Sequence, residues 1–192
     1  MKKLILFLIL FIAFIPLTLA EETNNNIETE ANKGTLVLKG CVTTQCKIDA
    51  AREEAFVKVE YSKDLSWAPS IDPYFKENQI AKKTGTKTFK NRLVTFFGDG
   101  GYCVKEFSSV NTFCFDKGGA LEEVHYDLND GYPKKIFMYN YPASNLESIG
   151  YSISPSEGFV FMPNGILKQY CKGRVCFDQK GSVNNIRDSI EF

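Results

Sequence analysis

Apolar and polar positions fall into a repeating order in the second half of the chain. Phe113-Cys114-Phe115-Asp116-Lys117-Gly118-Gly119-Ala120-Leu121 runs on to Val124. Phe159-Val160-Phe161-Met162-Pro163-Asn164-Gly165-Ile166-Leu167 runs on to Tyr170, and Val175-Cys176-Phe177-Asp178-Gln179-Lys180-Gly181-Ser182-Val183 runs on to Ile186. In each stretch an apolar residue and an aromatic stand two apart, and a glycine follows four later. An aliphatic comes two after the glycine, and a further apolar residue three beyond that. Spacing of two is the period of a strand with one covered face. A partial copy reads at Thr95, Phe97, Gly101 and Cys103, and a degenerate one without glycine from Phe137 and Tyr139 to Leu146. Internal repetition of this kind is read before anything else.

The polar centre of each copy predicts a hairpin turn. Met162-Pro163-Asn164-Gly165 places proline second and glycine fourth, as a type I turn prefers. Gly119, Gly165 and Gly181 are the turn glycines, where a left-handed conformation makes a bulge and rejoins the strands. Asp116 and Asp178 open their turns, where a carboxylate accepts from the turn's own amides. The fold class that follows is mainly β. Antiparallel β-hairpin repeats over 93–192 form a meander or curled sheet, with one or two short helices in the N-terminal half.

That half, 34–92, mixes signals. Thr35-Leu36-Val37-Leu38 reads as a strand, and Asp49 to Glu54 favours helix. Val57, Val59 and Tyr61 alternate as in a strand, while Ala51, Ala55, Phe56 and Val59 equally line one helical face. A short helix is expected after Asp72, which caps it, with Pro73 first, Lys82 and Lys83 in its last turn and Gly85 as terminator. Residues 33–192 are expected to be one folded unit.

The N-terminus sets the compartment. Lys2 and Lys3 precede an apolar run from Leu4 to Ile15, Pro16 ends it, and Thr18-Leu19-Ala20 has small residues where a signal peptidase cuts. Residues 1–20 read as a signal peptide cleaved after Ala20. The run is too short for a spanning helix, so no stable membrane insertion after cleavage is expected. Residues 21–33 are polar and read as a disordered linker. Cleavage removes two lysines, so 23 basic and 23 acidic residues become 21 and 23, a charge of −2. Such a balance lacks the basic field that nucleic-acid binding draws on. Localisation is therefore read as secreted or periplasmic, and the short lysine-led signal suits a bacterium.

Six cysteines in an exported chain read as three disulfides. A zinc cluster needs four thiolate or imidazole ligands at close spacing. This chain has one histidine, two cysteine pairs with four intervening residues and a third with ten. Lys172-Gly173-Arg174-Val175 offers glycine at the first central position of a type II′ turn. Lys172 and Val175 then close it, and Cys171 and Cys176 form the next, non-hydrogen-bonded pair, close enough to bridge. Cys114 holds the place in its repeat that Cys176 holds in the last, so Cys103 pairs with Cys114, and Cys41 with Cys46 by elimination. Such short loops add less than about 3 kcal/mol each, and their role is read as register control.

Phe115-Asp116-x-x-Gly119-x-Leu121 and Phe177-Asp178-x-x-Gly181-x-Val183 resemble tyrosine-aspartate (YD) repeats. Phe161-x-x-Asn164-Gly165-x-Leu167 resembles the variant MORN repeats of bacterial antitoxin-type proteins. The resemblance spans about 93–192 and departs from both families in repeat number, spacing and cysteines. It implies stacked hairpins and carries over no ligand or activity.

Candidate chemistry is sparse. His125 is the one histidine, and alternation puts Glu123, His125 and Asp127 on one strand face, where either acid would orient it as a general base. The same pattern describes a solvated strand face. No nucleophile elbow appears, and Gly98-Asp99-Gly100-Gly101 lacks the lysine and helix of a phosphate cradle and reads as a turn. No cofactor and no metal are expected. Tyr132, Tyr139, Tyr141 and Tyr151, with Pro133 and Pro142, either line a surface that stacks on sugars or pack the core and edges, and packing is the favoured reading. The function expected is that of a non-catalytic binding or structural module, meeting a protein or glycan at the cell envelope. A secreted hydrolase using Glu123, His125 and Asp127 is one alternative, and an immunity protein against a toxin, drawn from the antitoxin-type resemblance, is another.

Overall fold

The computed structural model describes residues 40–80, 84–129 and 131–187. The expected signal peptide, linker and strand over Thr35–Leu38, and Lys82 and Lys83, lie outside the described residues. The described ones contain two helices, α1 (Thr44–Ala55) and α2 (Phe75–Ile80), followed by eleven strands. These are β1 (Gly85–Phe89), β2 (Arg92–Phe96), β3 (Tyr102–Glu106), β4 (Asn111–Phe115), β5 (Leu121–Asp127) and β6 (Lys134–Asn140). They continue as β7 (Leu146–Ser154), β8 (Glu157–Phe161), β9 (Leu167–Lys172), β10 (Val175–Phe177) and β11 (Val183–Ile186). Every strand pairs antiparallel with its neighbour in sequence, so the sheet is a single open meander in the order β1 to β11. It begins at Gly85, before the stretch from residue 93 where the repeat is legible.

One turn design joins β4 to β5, β8 to β9 and β10 to β11. Asp116 N–H donates to Ala120 O, and Gly119 N–H to Asp116 O. Asp178 and Gly181 do the same with Ser182 and Asp178, and Met162 and Gly165 with Ile166 and Met162. Asp116 Oδ1 accepts from Gly118 and Ala120, and Asp178 Oδ1 from Lys180 and Ser182. The glycines take φ of +83°, +82° and +78°, and each hairpin carries a bulge at the aromatic before the turn. The carboxylate supplies acceptors that the tight turn leaves its amides without, and the left-handed glycine rejoins the strands.

Two further turns follow the same design with corrections to the expected phase. The partial copy is offset by one residue. Phe97 N–H donates to Gly101 O and Gly100 carries φ +94°, so Val94, Phe96, Gly100 and Tyr102 hold the repeat positions in place of Thr95, Phe97, Gly101 and Cys103. A slip of one exchanges the two faces of a strand, and Val94, Phe96, Tyr102 and Val104 are the buried set. The degenerate copy spans one extra residue. Asn140 N–H donates to Asn145 O, Ser144 N–H to Asn140 O, and Ser144 at φ +61° stands where the others have glycine.

Alternation gives the sheet two faces. The first carries Val94, Phe96, Tyr102, Phe115, Val124, Tyr139, Ile149, Phe159 and Phe161, which form the core. On it Phe159 stacks with Tyr170, and Tyr170 with Phe177. Tyr139 and Tyr151 belong to this core, which places them among packing residues, whereas Tyr132 is exposed. The chain before β1 crosses this face as a strap. In α1, Thr43 caps by accepting from Cys46 N–H, and Ile48, Ala51 and Ala55 bury one side. Phe56 meets Phe161 edge-on. The segment from Val57 to Tyr61 is neither strand nor helix. Lys58 turns left-handed (φ +57°), and pairing resumes only as the bridge from Ser62 to Asn145.

The strap meets successive repeats at equivalent atoms. Lys63 N–H donates to Ser144 O, and Leu146 N–H donates back to Tyr61 O. Nine residues on, Asp72 N–H donates to Gly119 O and Leu121 N–H to Ser70 O. Arg52 Nε donates to Gly165 O. In three repeats the carbonyl of the left-handed residue is thus the docking acceptor. Asp72 is the buried anchor, with Oδ1 accepting from Tyr74 N–H and Oδ2 from Asn78 Nδ2 and Tyr102 Oη. Burial, and after it the Asp72 hydrogen bond, pushes the Tyr102 hydroxyl far above its ordinary pKa.

Candidate functional site

The second face of the sheet carries the titratable cluster. Register places Thr86, Thr95, Cys103, Cys114, Glu123 and Asn140 in one row across β1 to β6. Thr112, His125, Met138 and Ser148 form the row beside it. Small residues such as Gly150 and Ser152 sit low on this face between taller neighbours; the Met138 methyl lies 3.2 Å from where a Gly150 β-carbon would be.

All three disulfides are formed: Cys41–Cys46, Cys103–Cys114 and Cys171–Cys176. The last two cross neighbouring strands with Cα atoms 4.0 Å apart, the close spacing of a non-hydrogen-bonded pair. Gly173 has φ +60° at the first central position of the turn that closes Cys171–Cys176.

Glu123, His125 and Asp127 share the second face, but only two of them work together. His125 Nε2 lies 2.8 Å from Glu123 Oε2. The His125 hydrogen bond holds the Glu123 carboxyl below the usual carboxylate range despite partial burial, with help from Glu147 and Lys168. Asp127 turns away to Lys105 and Lys134, and the Lys134 ammonium is 3.3 Å from Oδ2. Asp127 therefore does not orient the imidazole. The ring also meets sulfur, and the nitrogen that faces Glu123 is the nearer one: Nε2 and Nδ1 lie 3.6 Å and 3.9 Å from Cys114 Sγ. Alternation within β5 put the three residues on one face; it carried no signal for Cys114, Lys105, Lys134, Glu147 or Lys168, which arrive from other strands.

Cys114, Glu123 and His125 offer ligand atoms within 4.8 Å of one another. Cys114 sulfur is bonded and presents no thiolate, so two groups remain where zinc takes four ligands or three and a water, and the cluster is not a metal site. A separate shallow groove of about 450 Å³ lies between α1 and the β8–β9 turn, lined by Gln45, Ile48, Arg52, Asn164 and Gln179. Its one charged side chain, Arg52, is held by Gly165 O and Asp49.

Comparison with protein families, curated proteins and solved structures finds no match. Function is therefore read from this geometry alone. Among the described residues no helix is long and apolar enough to cross a membrane. Three disulfides fit an oxidising compartment.

Proposed function

We propose that this chain is an exported, non-catalytic binding module. The strap closes the first face of its sheet, and the second face meets a protein or glycan at the cell envelope. The observation that carries the reading is the division of labour on β5. Asp127 is bound by two lysines, and His125 is held by a carboxylate and a disulfide sulfur, with no hydroxyl or free thiol hydrogen-bonded to either among the described residues. General-base chemistry needs the imidazole within reach of the proton it removes, and hydrolysis by a nucleophile needs that nucleophile beside the base. Thr95, Thr112 and Glu123 on this face, with Lys168 acting on Glu123, are instead the furniture of polar recognition, donors and acceptors on a rigid sheet.

Expression of the full chain in a bacterial host tests it in two steps. The exported fraction should contain protein beginning at Glu21 with six cysteines bonded. That protein, labelled, should be retained on peptidoglycan or on cell-surface protein, and Thr112→Arg with Lys168→Glu should lower retention about tenfold. Material retained in the cytoplasm with Met1, or a hydrolytic activity abolished by His125→Ala, would contradict the reading.

A further inference from the structure

Two cross-strand disulfides stand on the same face of one sheet at the same Cα separation of 4.0 Å, and they keep different company. Cys171–Cys176 has Gly158 and Asn185 as its neighbours along the row, and both sulfur-bearing residues are buried. Cys103–Cys114 has an ionisable neighbour on one side and an open approach on the other. Cys114 is buried, and its sulfur rests 3.6 Å from His125 Nε2, itself 2.8 Å from Glu123. Cys103 is half-buried, and the row continues from it over the short side chains of Thr95 and then the exposed Thr86.

Thiol–disulfide exchange needs these two things. The incoming thiolate attacks one sulfur roughly in line with the bond, and the other sulfur leaves faster when its developing negative charge is neutralised. An approach over Thr95 reaches Cys103, which makes Cys114 the leaving sulfur, next to the imidazole. Imidazole is the side chain best suited to move a proton near neutral pH. The groups facing it are Glu123 from its own strand and Cys114 from β4, with Glu147 and Lys168 acting on Glu123 from β7 and β9.

We propose that Cys103–Cys114 is a thiol-accepting disulfide, with His125 as the proton donor to Cys114 and a low-molecular-weight thiol as the reactant. The thiol enters as its thiolate, its proton released to solvent, and its sulfur bonds to Cys103. The Cys103–Cys114 bond breaks with its electron pair on Cys114, and the imidazole passes a proton to that sulfur and takes one back from solvent. The incoming sulfur is oxidised to the mixed disulfide as Cys114 is reduced to a thiol, and no other oxidant or reductant takes part. Capture is stoichiometric, so it adds to the binding role without making the module an enzyme.

The test exposes the oxidised protein to reduced glutathione, quenches with an alkylating agent and maps all six cysteines by mass spectrometry over time. The readout is the rate at Cys103–Cys114 divided by the rate at Cys171–Cys176 in the same molecules, so any loosening of the fold cancels. In the wild type the ratio should exceed about ten, with glutathione on Cys103 and the alkyl group on Cys114. His125→Gln should lower the ratio about tenfold, short of the roughly hundredfold that a fully engaged proton donor supplies. A ratio near one in the wild type, a ratio unchanged in His125→Gln, or glutathione found on Cys114 would each overturn the proposal.

Discussion

The β4–β5 and β10–β11 hairpins are built from the same local instructions and end in different surroundings. Both have an aspartate opening the turn, a left-handed glycine three residues later, a bulge at the preceding aromatic and a cross-strand cysteine. In the first, Ile71 pairs with Ala120, Phe75 lies on Gly119, and Leu121 is buried. In the second, nothing lies within 4 Å of where a Gly181 β-carbon would be, and Val183 and Ile186 are 60% and 63% exposed. On the opposite face, Asn185 and Arg187 take the places of Glu123 and His125. The turn code thus makes hairpins wherever it occurs, whereas burial and chemistry come from what crosses the hairpin and from the neighbouring strands.

The sharpest way to break this comparison is to substitute the two glycines in parallel. Gly119→Ala forces a side chain into left-handed backbone and overlaps its β-carbon with the Phe75 ring. Strain and overpacking together should cost about 3 kcal/mol or more. Gly181→Ala meets only the strain, about 1 kcal/mol. Equal shifts of the urea midpoint would show that the strap does not distinguish the repeats.

Asp72→Ala comes next. It leaves the Tyr102 hydroxyl and the Asn78 amide without their acceptor beneath the strap, and buried donors so orphaned should cost about 2–3 kcal/mol. Denaturant unfolding measures it, and a loss below about 0.5 kcal/mol would remove Asp72 as the anchor.

The smallest effect concerns Glu157, which accepts from Lys47 at 2.8 Å and from Tyr170 at 2.7 Å. Burial alone would raise its pKa, but these two partners outweigh it and hold the carboxyl below the usual value. A carboxylate depressed in the folded state stabilises above its unfolded pKa, and that contribution is lost as pH falls through the folded value. Glu157→Gln should therefore lower stability at neutral pH and converge with the wild type in acid. A difference that persists unchanged into acid would assign the loss to packing.

The turns were legible because Asp116, Asp178 and Asn164-Gly165 each state a local requirement that few residues meet. The first repeat was misphased because Gly98, Gly100 and Gly101 all offer a left-handed position, and alternation by two fits either face. Only the burial of Val94 and Phe96 against the strap selects one. Ser144 hid the third turn, since a serine at positive φ has no sequence signal. The strap itself was illegible between Val57 and Ser70: Lys63 and Asp72 dock through backbone N–H groups that nearly any residue supplies. Likewise Glu123 and Asp127 are equally spaced from His125, and Lys105 and Lys134 decide between them from other strands.

Native-state hydrogen exchange tests the strapped-repeat account most directly. The amides of Lys63, Asp72, Leu121 and Leu146 close the strap onto two repeats, and cooperative segments open as units. These four should share one opening free energy, well above that of Val183, which holds the position of Leu121 in the last repeat. Exchange of Leu121 and Leu146 as fast as Val183 would contradict the account.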